Sequence, residues 1–215
     1  MSGPDIEHEK RLAAEAAASL VGNGMTVGLG TGTTVAYLLP ALAARRLDIR
    51  CVATSPATET AARRLGLDMR PFEGIDRIDV AIDGADQVDD RGWLIKGGGG
   101  AHTREKVVAA AANRFVVIVS SDKLVERVHP PVPLELLVFG ADATLKSLPL
   151  ATLRPGAPPS PDGGLIADWL EPFDDPDTLS AALAATPGVV EHGLFPPTMV
   201  SDVVVGRGDR TEHRS

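Results

Sequence analysis

At 215 residues the chain fits one large domain or two small ones, with length enough for a real hydrophobic core. Its 44% hydrophobic and 23% charged residues are ordinary for a globular protein. A formal net charge of -8 argues against general nucleic-acid binding while leaving room for a local basic pocket.

The N-terminal stretch MSGPDIEHEKRLAAEAAASL starts acidic and turns alanine-rich, without the basic-then-apolar order of a signal peptide. Residues 5–21 read as a helix that ends at Gly22-Asn23-Gly24. Strand 25–29, the turn Gly30-Thr31-Gly32 and helix 33–46 follow, then strand 49–53 and a helix from Pro56 to Leu65 that opens on its proline. Residues 78–82 (IDVAI) predict a strand ending in Asp83-Gly84-Ala85-Asp86, and Trp93-Leu94-Ile95 leads into a glycine run. Residues 103–112 predict a helix, and 115–120 (FVVIVS) a strand, apolar, β-branched and too short for a helix. This alternation implies βαβ crossovers and a parallel sheet covered on both faces.

Beyond residue 130 the texture changes to proline-rich segments, with a long loop over 154–164. Strands are expected at 134–138, 165–170 and 188–192, and helices at 141–147 and 178–185. The whole predicts an α/β fold: a doubly wound, mostly parallel sheet over residues 1–129 plus 200–215, and a smaller α+β, ferredoxin-like domain over 130–199. Residues 202–206 are expected to return to the parent sheet, and the polar tail after Arg207 to fray. No stretch approaches a membrane span, so no membrane partner is expected and the expected setting is the cytoplasm. The lone Cys51 rules out an internal disulfide, the scattered histidines His8, His102, His129, His192 and His213 show no metal-ligand spacing and suggest no zinc site, and no cofactor is expected.

Three segments set polar or glycine-rich turns directly after apolar strands, where open α/β sheets bind ligands. In Lys96–Lys106 (KGGGGAHTREK), four glycines lose more backbone entropy on ordering than any other residue and pack no side chain. Bare amides beside Lys96 and Glu105 describe a pocket for a small, oxygen-rich, anionic ligand; a flexible linker is the plainer alternative. Glu105 falls in the first turn of a helix, where the dipole favours its anionic form, and Lys96 offers a cation for developing negative charge. The loop Gly28–Thr34 (GLGTGTT) is suited to phosphate at a helix N-terminus, or is a structural turn, and it is neither a P-loop nor a full G-x-G-x-x-G. Thr54–Thr58 (TSPAT) reads equally as a hydroxyl site or an N-cap. Asp83 and Asp86 flank a tight turn, so they suit sugar hydroxyls, proton shuttling, a divalent cation or turn chemistry. Lys123 again follows a strand and reads as a rim cation or a solvated lysine.

Together, GLGTGTT (28–34), ATSPAT (53–58), DGADQVD (83–89), KGGGGAHTREK (96–106), SDKLV (121–125), PVPLE (131–135) and PGVVEHGLF (187–195) resemble ribose-5-phosphate isomerase of the A type. The resemblance implies a metal-free interconversion of ribose 5-phosphate and ribulose 5-phosphate through a cis-enediol, in a homodimer or homotetramer. By that resemblance Glu105 is the general base, Asp83 assists ring opening and proton transfer, and Lys96 with Gly97, Gly98 and Gly99 stabilises the enediolate oxygen. It further implies that Thr31, Gly32, Thr33 and Thr34, the turn Asp83, Gly84, Ala85 and Asp86, Lys123, and Lys10 from the first helix contact the sugar phosphate.

The chain departs from the family where His102 and Thr103 occupy a place that usually holds at least one apolar residue, where GLFPPTMVSD is longer than usual, and where an Asp-Asn-Gly-Asn-like turn reads Asp162-Gly163-Gly164. His102 is expected to face solvent. Two rivals remain. A sugar-phosphate sensor would need a DNA-binding module, for which there is no room before Met25, and a CoA-handling enzyme would need a glutamate nucleophile and space for a nucleotide.

Overall fold

The computed structural model describes residues 5–75 and 77–214. In chain order the elements are α1 (Ile6–Ala18), β1 (Thr26–Leu29), α2 (Val35–Ala44), β2 (Arg50–Ala53), α3 (Pro56–Arg64), β3 (Asp68–Met69), β4 (Val80–Asp83), β5 (Gln87–Asp89) and β6 (Leu94–Ile95). There follow α4 (His102–Ala110), β7 (Phe115–Ser120), β8 (Leu124–Val125), β9 (Val132–Leu136), α5 (Ala141–Ser147), β10 (Ala151–Leu153) and β11 (Leu165–Trp169). The last are α6 (Pro176–Ala184), β12 (Val189–His192), β13 (Leu194–Phe195), β14 (Asp202–Arg207) and β15 (Arg210–Arg214). The chain divides into two compact units, one formed by Met1–Ala85, Glu105–Leu124 and Thr198–Ser215, the other by Asp86–Arg104 and Val125–Pro197. The second thus takes in residues 86–104, which the sequence groups with the first domain.

The first unit holds a seven-stranded sheet in the order β15-β14-β7-β4-β1-β2-β3. Every pairing is parallel except β14 with β15. All six residues of β7 and all four of β1 are buried, as helices on both faces require. Helix α1 begins where the Asp5 side chain accepts the His8 amide at 3.1 Å. Its buried alanines, Ala13, Ala14, Ala17 and Ala18, join Val27, Leu29, Leu38, Ile82, Val116 and Val204 in one core. β14 returns to the parent sheet beside β7, as expected. The tail does not fray: residues 210–214 form β15, paired with β14 from Val203–Arg214 to Arg207–Arg210. Its order comes from backbone hydrogen bonds, which a polar sequence supplies as well as an apolar one.

The second unit carries two four-stranded sheets, β10-β11-β9-β12 and β13-β6-β5-β8. Within the first of these, β9 pairs antiparallel with both β11 and β12. Trp93, Ile95, Val132, Leu134, Leu136, Ala167, Leu183 and Leu194 form its core. Helix α6 opens on Pro176 and is capped by Asp175, whose side chain accepts the Thr178 amide at 3.1 Å. Among the described residues no helix is long and apolar enough to cross a membrane.

Candidate active site

In the first unit the candidates sit at the carboxyl ends of β1, β4 and β7. β4 ends on Asp83, which is 3% exposed. Its Oδ1 accepts the amide of Thr31 at 3.1 Å and that of Gly84 at 2.7 Å, so two backbone donors fix the carboxylate over the glycine-threonine turn. That placement explains Gly30. A Cβ there would fall 1.9 Å from Cγ and Oδ1 of Asp83, closer than any side chain allows. The Gly30 amide meanwhile donates to the Ile82 carbonyl at 3.0 Å, tying the turn to the strand beneath it.

The Thr31 hydroxyl is 2.8 Å from that of Thr54 and 3.3 Å from that of Thr58, which itself donates to the Gly30 carbonyl at 3.0 Å. Gly32 and Thr33 are exposed, and Thr34 is half-buried before α2. Ser55 accepts the Thr58 amide at 3.2 Å as the N-cap of α3, so the capping explanation describes this serine. Gly84 and Ala85 are half-buried. Glu105 is in the first turn of α4 and 5% exposed. Lys123 closes a single 3-10 turn after β7, with its Nζ 3.4 Å from Asp122. Lys10 on α1 has its Nζ 2.7 Å from Glu7. Cys51 is inert: burial pushes its thiol up to about 12, assisted by the charge of Asp68.

The second unit holds the other candidates. Lys96 is 3% exposed; its amide donates to the Gly193 carbonyl at 2.9 Å, and its Nζ is 5.6 Å from the centroid of the Phe195 ring. Asp86 is exposed, and its Oδ2 accepts the Gly98 amide at 2.7 Å. The Gly100 amide donates to the Gly97 carbonyl at 3.0 Å. The expectation of bare amides therefore does not hold for Gly98 or Gly100: both are occupied by the loop's own bonding. Gly97 has φ +108, and a Cβ on it would lie 2.7 Å from His102 Nδ1 and 2.8 Å from Pro133. A Cβ on Gly99 would meet no described atom within 4 Å. Such a run, braced at most of its positions, is no linker.

His102 does not face solvent. It is fully buried, with Nε2 3.4 Å from the Glu191 carbonyl, because the backbone of Gly97 leaves the space that its ring fills.

Several residues that the sequence reading passed over support these loops. Arg154 donates from Nη1 to the carbonyls of Gly97 at 3.1 Å and Gly98 at 2.9 Å, while Asp168 accepts from its Nη2 at 2.6 Å. The Asp168 hydrogen bond also raises the guanidinium's pKa further. Arg104 grips Asp162 through Nε at 3.0 Å and Nη2 at 2.6 Å, and the buried Glu135 accepts the hydroxyls of Thr103 and Ser160. Glu9 is buried on α1. No local motif marks these residues, since each partner lies far along the chain. The one available signal was helical spacing: Glu9 stands in the polar run EHEKR, but it shares a helix face with Ile6 three residues before it and Ala13 four after it.

Each unit thus brings together its own share of the expected residues: an oriented carboxylate, a helix-borne glutamate and a threonine loop in one, and a buried lysine before a braced glycine turn in the other. A carboxylate that is buried and held, a second carboxylate on a helix and a buried cation are the parts needed for proton transfer beside a carbonyl.

The family model for ribose 5-phosphate isomerase A (phosphoriboisomerase A) matches residues 50–210. The ribose-5-phosphate isomerase A of Gluconobacter oxydans is 42% identical over 231 residues, spanning 99% of each chain. The solved ribose 5-phosphate isomerase A of Methanocaldococcus jannaschii superposes with TM-score 0.90 at 32% identity, covering 96% of this chain and 97% of that one. A solved D-ribose-5-phosphate isomerase in complex with phospho-erythronic acid gives TM-score 0.92 at 32% identity, covering 98% and 99%.

Proposed function

Because the chain belongs to the ribose 5-phosphate isomerase A family and is an aldose–ketose isomerase, we propose that it interconverts D-ribose 5-phosphate and D-ribulose 5-phosphate through a cis-enediolate, without a metal ion. The observation that carries the mechanism is the burial of three charged side chains, Asp83 at 3%, Lys96 at 3% and Glu105 at 5% exposure. Removing charges from water is costly, and a fold retains them where chemistry needs them.

In this reading Asp83 assists opening of the sugar ring. Glu105 takes the proton from C2 of the open aldose, and the released electron pair forms the C1–C2 double bond as charge collects on the C1 oxygen. Lys96 stabilises that oxygen, with the glycine turn shaping the pocket around it, and supplies the positive charge that a metal would otherwise bring. Asp83 relays protons between the two hydroxyl oxygens. Glu105 then returns its proton to C1, leaving the carbonyl on C2. Thr31, Gly32, Thr33 and Thr34 hold the phosphate with Lys10, and Lys123 supplies a further cationic contact. Gly84, Ala85 and Asp86 border the sugar hydroxyls.

Phospho-erythronic acid, bound by one relative, supports the reading, since its carboxylate and phosphate reproduce the planar oxygens and terminal charge of such an enediolate. The reaction belongs to the non-oxidative pentose phosphate pathway, in the cytoplasm. Exposed Leu137, Val138 and Phe139 on the second unit support assembly as a homodimer or homotetramer.

The test is ketose formation from ribose 5-phosphate by the purified protein, with and without EDTA. Equal rates are expected, and Glu105→Gln should lose about 10²–10⁴-fold in kcat. No product, dependence on an added metal, or full activity in the variant overturns the reading.

A further inference from the structure

Glu9 is a buried carboxylate that the proposed chemistry does not use. It is 1% exposed. Its partners are three neutral donors from distant parts of the chain. Oε2 accepts the Ser121 amide at 2.9 Å and the Ser121 hydroxyl at 2.7 Å, and Oε1 accepts the Gly208 amide at 2.7 Å. Ser121 opens the 3-10 turn that follows β7 and ends on Lys123. Gly208 lies in the turn between β14 and β15, and β14 is paired with β7 in the register Gly206 to Ser120. Both donors therefore stand at the same end of the sheet, the carboxyl end, where ligands bind in such folds.

The approach of α1 to that end is itself built in. A Cβ on Gly206 would lie 1.9 Å from the Glu9 carbonyl oxygen, so only glycine lets the helix backbone come so near. The next residue along that backbone is Lys10. The far side of the Ser121 turn is closed separately: Ser120 donates its hydroxyl to Asp122, which pairs with Lys123. Burial acts to raise the Glu9 pKa, but the hydrogen bonds from Gly208 and Ser121 outweigh it and hold the group below the ordinary carboxylate value.

We propose that Glu9 is a positioning residue for substrate binding, its carboxylate fixing the Ser121–Lys123 turn and the first turns of α1 so that Lys123 and Lys10 meet the sugar phosphate. The proposal rests on the assignment of Lys123 as a substrate contact. An ionised carboxylate suits the place for a simple reason: it only accepts, and every partner here donates. Glutamine has nearly the same shape but one acceptor oxygen. Whichever way its amide is turned, an N–H group faces either the Ser121 amide or the Gly208 amide, and a donor meets a donor. Aspartate is one methylene too short to reach both.

The experiment is a double-mutant cycle on the purified full chain with Glu9→Gln, Lys123→Ala and the pair, reading kcat and KM for ribose 5-phosphate together with thermal unfolding. Glu9→Gln should raise KM about tenfold, the size of a lost hydrogen bond to a charged group, with kcat little changed. In its background, Lys123→Ala should add far less than it does alone. A purely structural role would lower the melting temperature and the active fraction while leaving KM where it was, and that result overturns the proposal. Fully additive effects of the two substitutions overturn it too. If Lys123→Ala alone leaves KM unchanged, the assignment of Lys123 fails and takes this inference with it. Loss of the isomerase reading itself shows separately, as no turnover by the unaltered chain.

Discussion

Replacing Gly30 with alanine tests whether the Asp83 carboxylate and the glycine-threonine turn form one rigid part. The new methyl carbon would stand 1.9 Å from Cγ and Oδ1 of Asp83 and 2.5 Å from its Cβ. Carbon contacts in packed proteins settle near 3.5–4 Å, so one partner must give by more than about 1 Å. Neither can give cheaply. The carboxylate is tied to the Thr31 and Gly84 amides and stands on β4, which is paired on one side with β1 and on the other with β7. The turn is tied by its own amide to Ile82. Overpacking of this kind costs about 1–3 kcal/mol, equivalent for a chain of this size to a fall of roughly 2–10 °C in melting temperature. A misplacement near 1 Å in a catalytic group costs on the order of 10²-fold in rate. The variant should therefore fold, melt somewhat lower and lose about two decades in kcat, measured by ketose formation from ribose 5-phosphate on protein shown by circular dichroism to be folded. A kcat within about threefold of the unaltered chain, at an unchanged melting temperature, would refute the coupling of Gly30 to Asp83.

Alanine at Gly97 and at Gly99 should behave differently despite their near adjacency. At Gly97 it meets φ +108 and contacts of 2.7–2.8 Å with His102 and Pro133, and it should lower stability by about 1–3 kcal/mol in a denaturant titration; at Gly99, where nothing lies within 4 Å, the midpoint should hardly move. Glu9 gives a pH signature with a definite sign. Its pKa is depressed from an ordinary 4.5 in spite of burial and the nearby charge of Asp122. Its contribution is therefore complete above that ordinary value and is lost as pH falls through the lower folded value. The melting-temperature gap between the unaltered chain and Glu9→Gln should be widest near neutrality and narrow in acid below about 4.5, and a gap independent of pH would contradict the assignment.

Where the chain's own local chemistry decides an outcome, the residues announce it. β7 and α5 keep the boundaries that apolar, β-branched runs and helical spacing suggest, and β14 returns to the sheet as its apolar run suggests. What was hidden depends on partners far along the chain. The two-residue pieces β3 and β6 are too short to show any period, and they exist through pairing with β2 and with β5 and β13. The strand over 210–214 looks like loose polar tail because its order comes from the ladder to β14. His102 reads as a surface histidine until Gly97 is seen to make room for it. The candidate site was legible in kind, since glycine runs and carboxylates beside strand ends are unusual enough to stand out. Its bracing was not: Asp86 holding the Gly98 amide, Arg154 holding the carbonyls and Glu9 reaching Ser121 and Gly208 are long-range facts.

The position of β14 in the sheet has a consequence for the order in which this molecule can be made. β7 is apolar almost throughout, and one of its edges is satisfied only by a strand that begins about 80 residues later. At a synthesis rate of about 5–20 residues per second, the ribosome needs several seconds to deliver that partner, and all that time the edge of β7 offers free amides and carbonyls beside a greasy face. The sheet cannot close on this side until residues 202–207 have been made. Glu9 must likewise wait for Gly208, which follows it by 199 residues. Between the synthesis of β7 and that of β14 the nascent chain therefore carries an open, apolar sheet edge, and β14 is the strand that closes it.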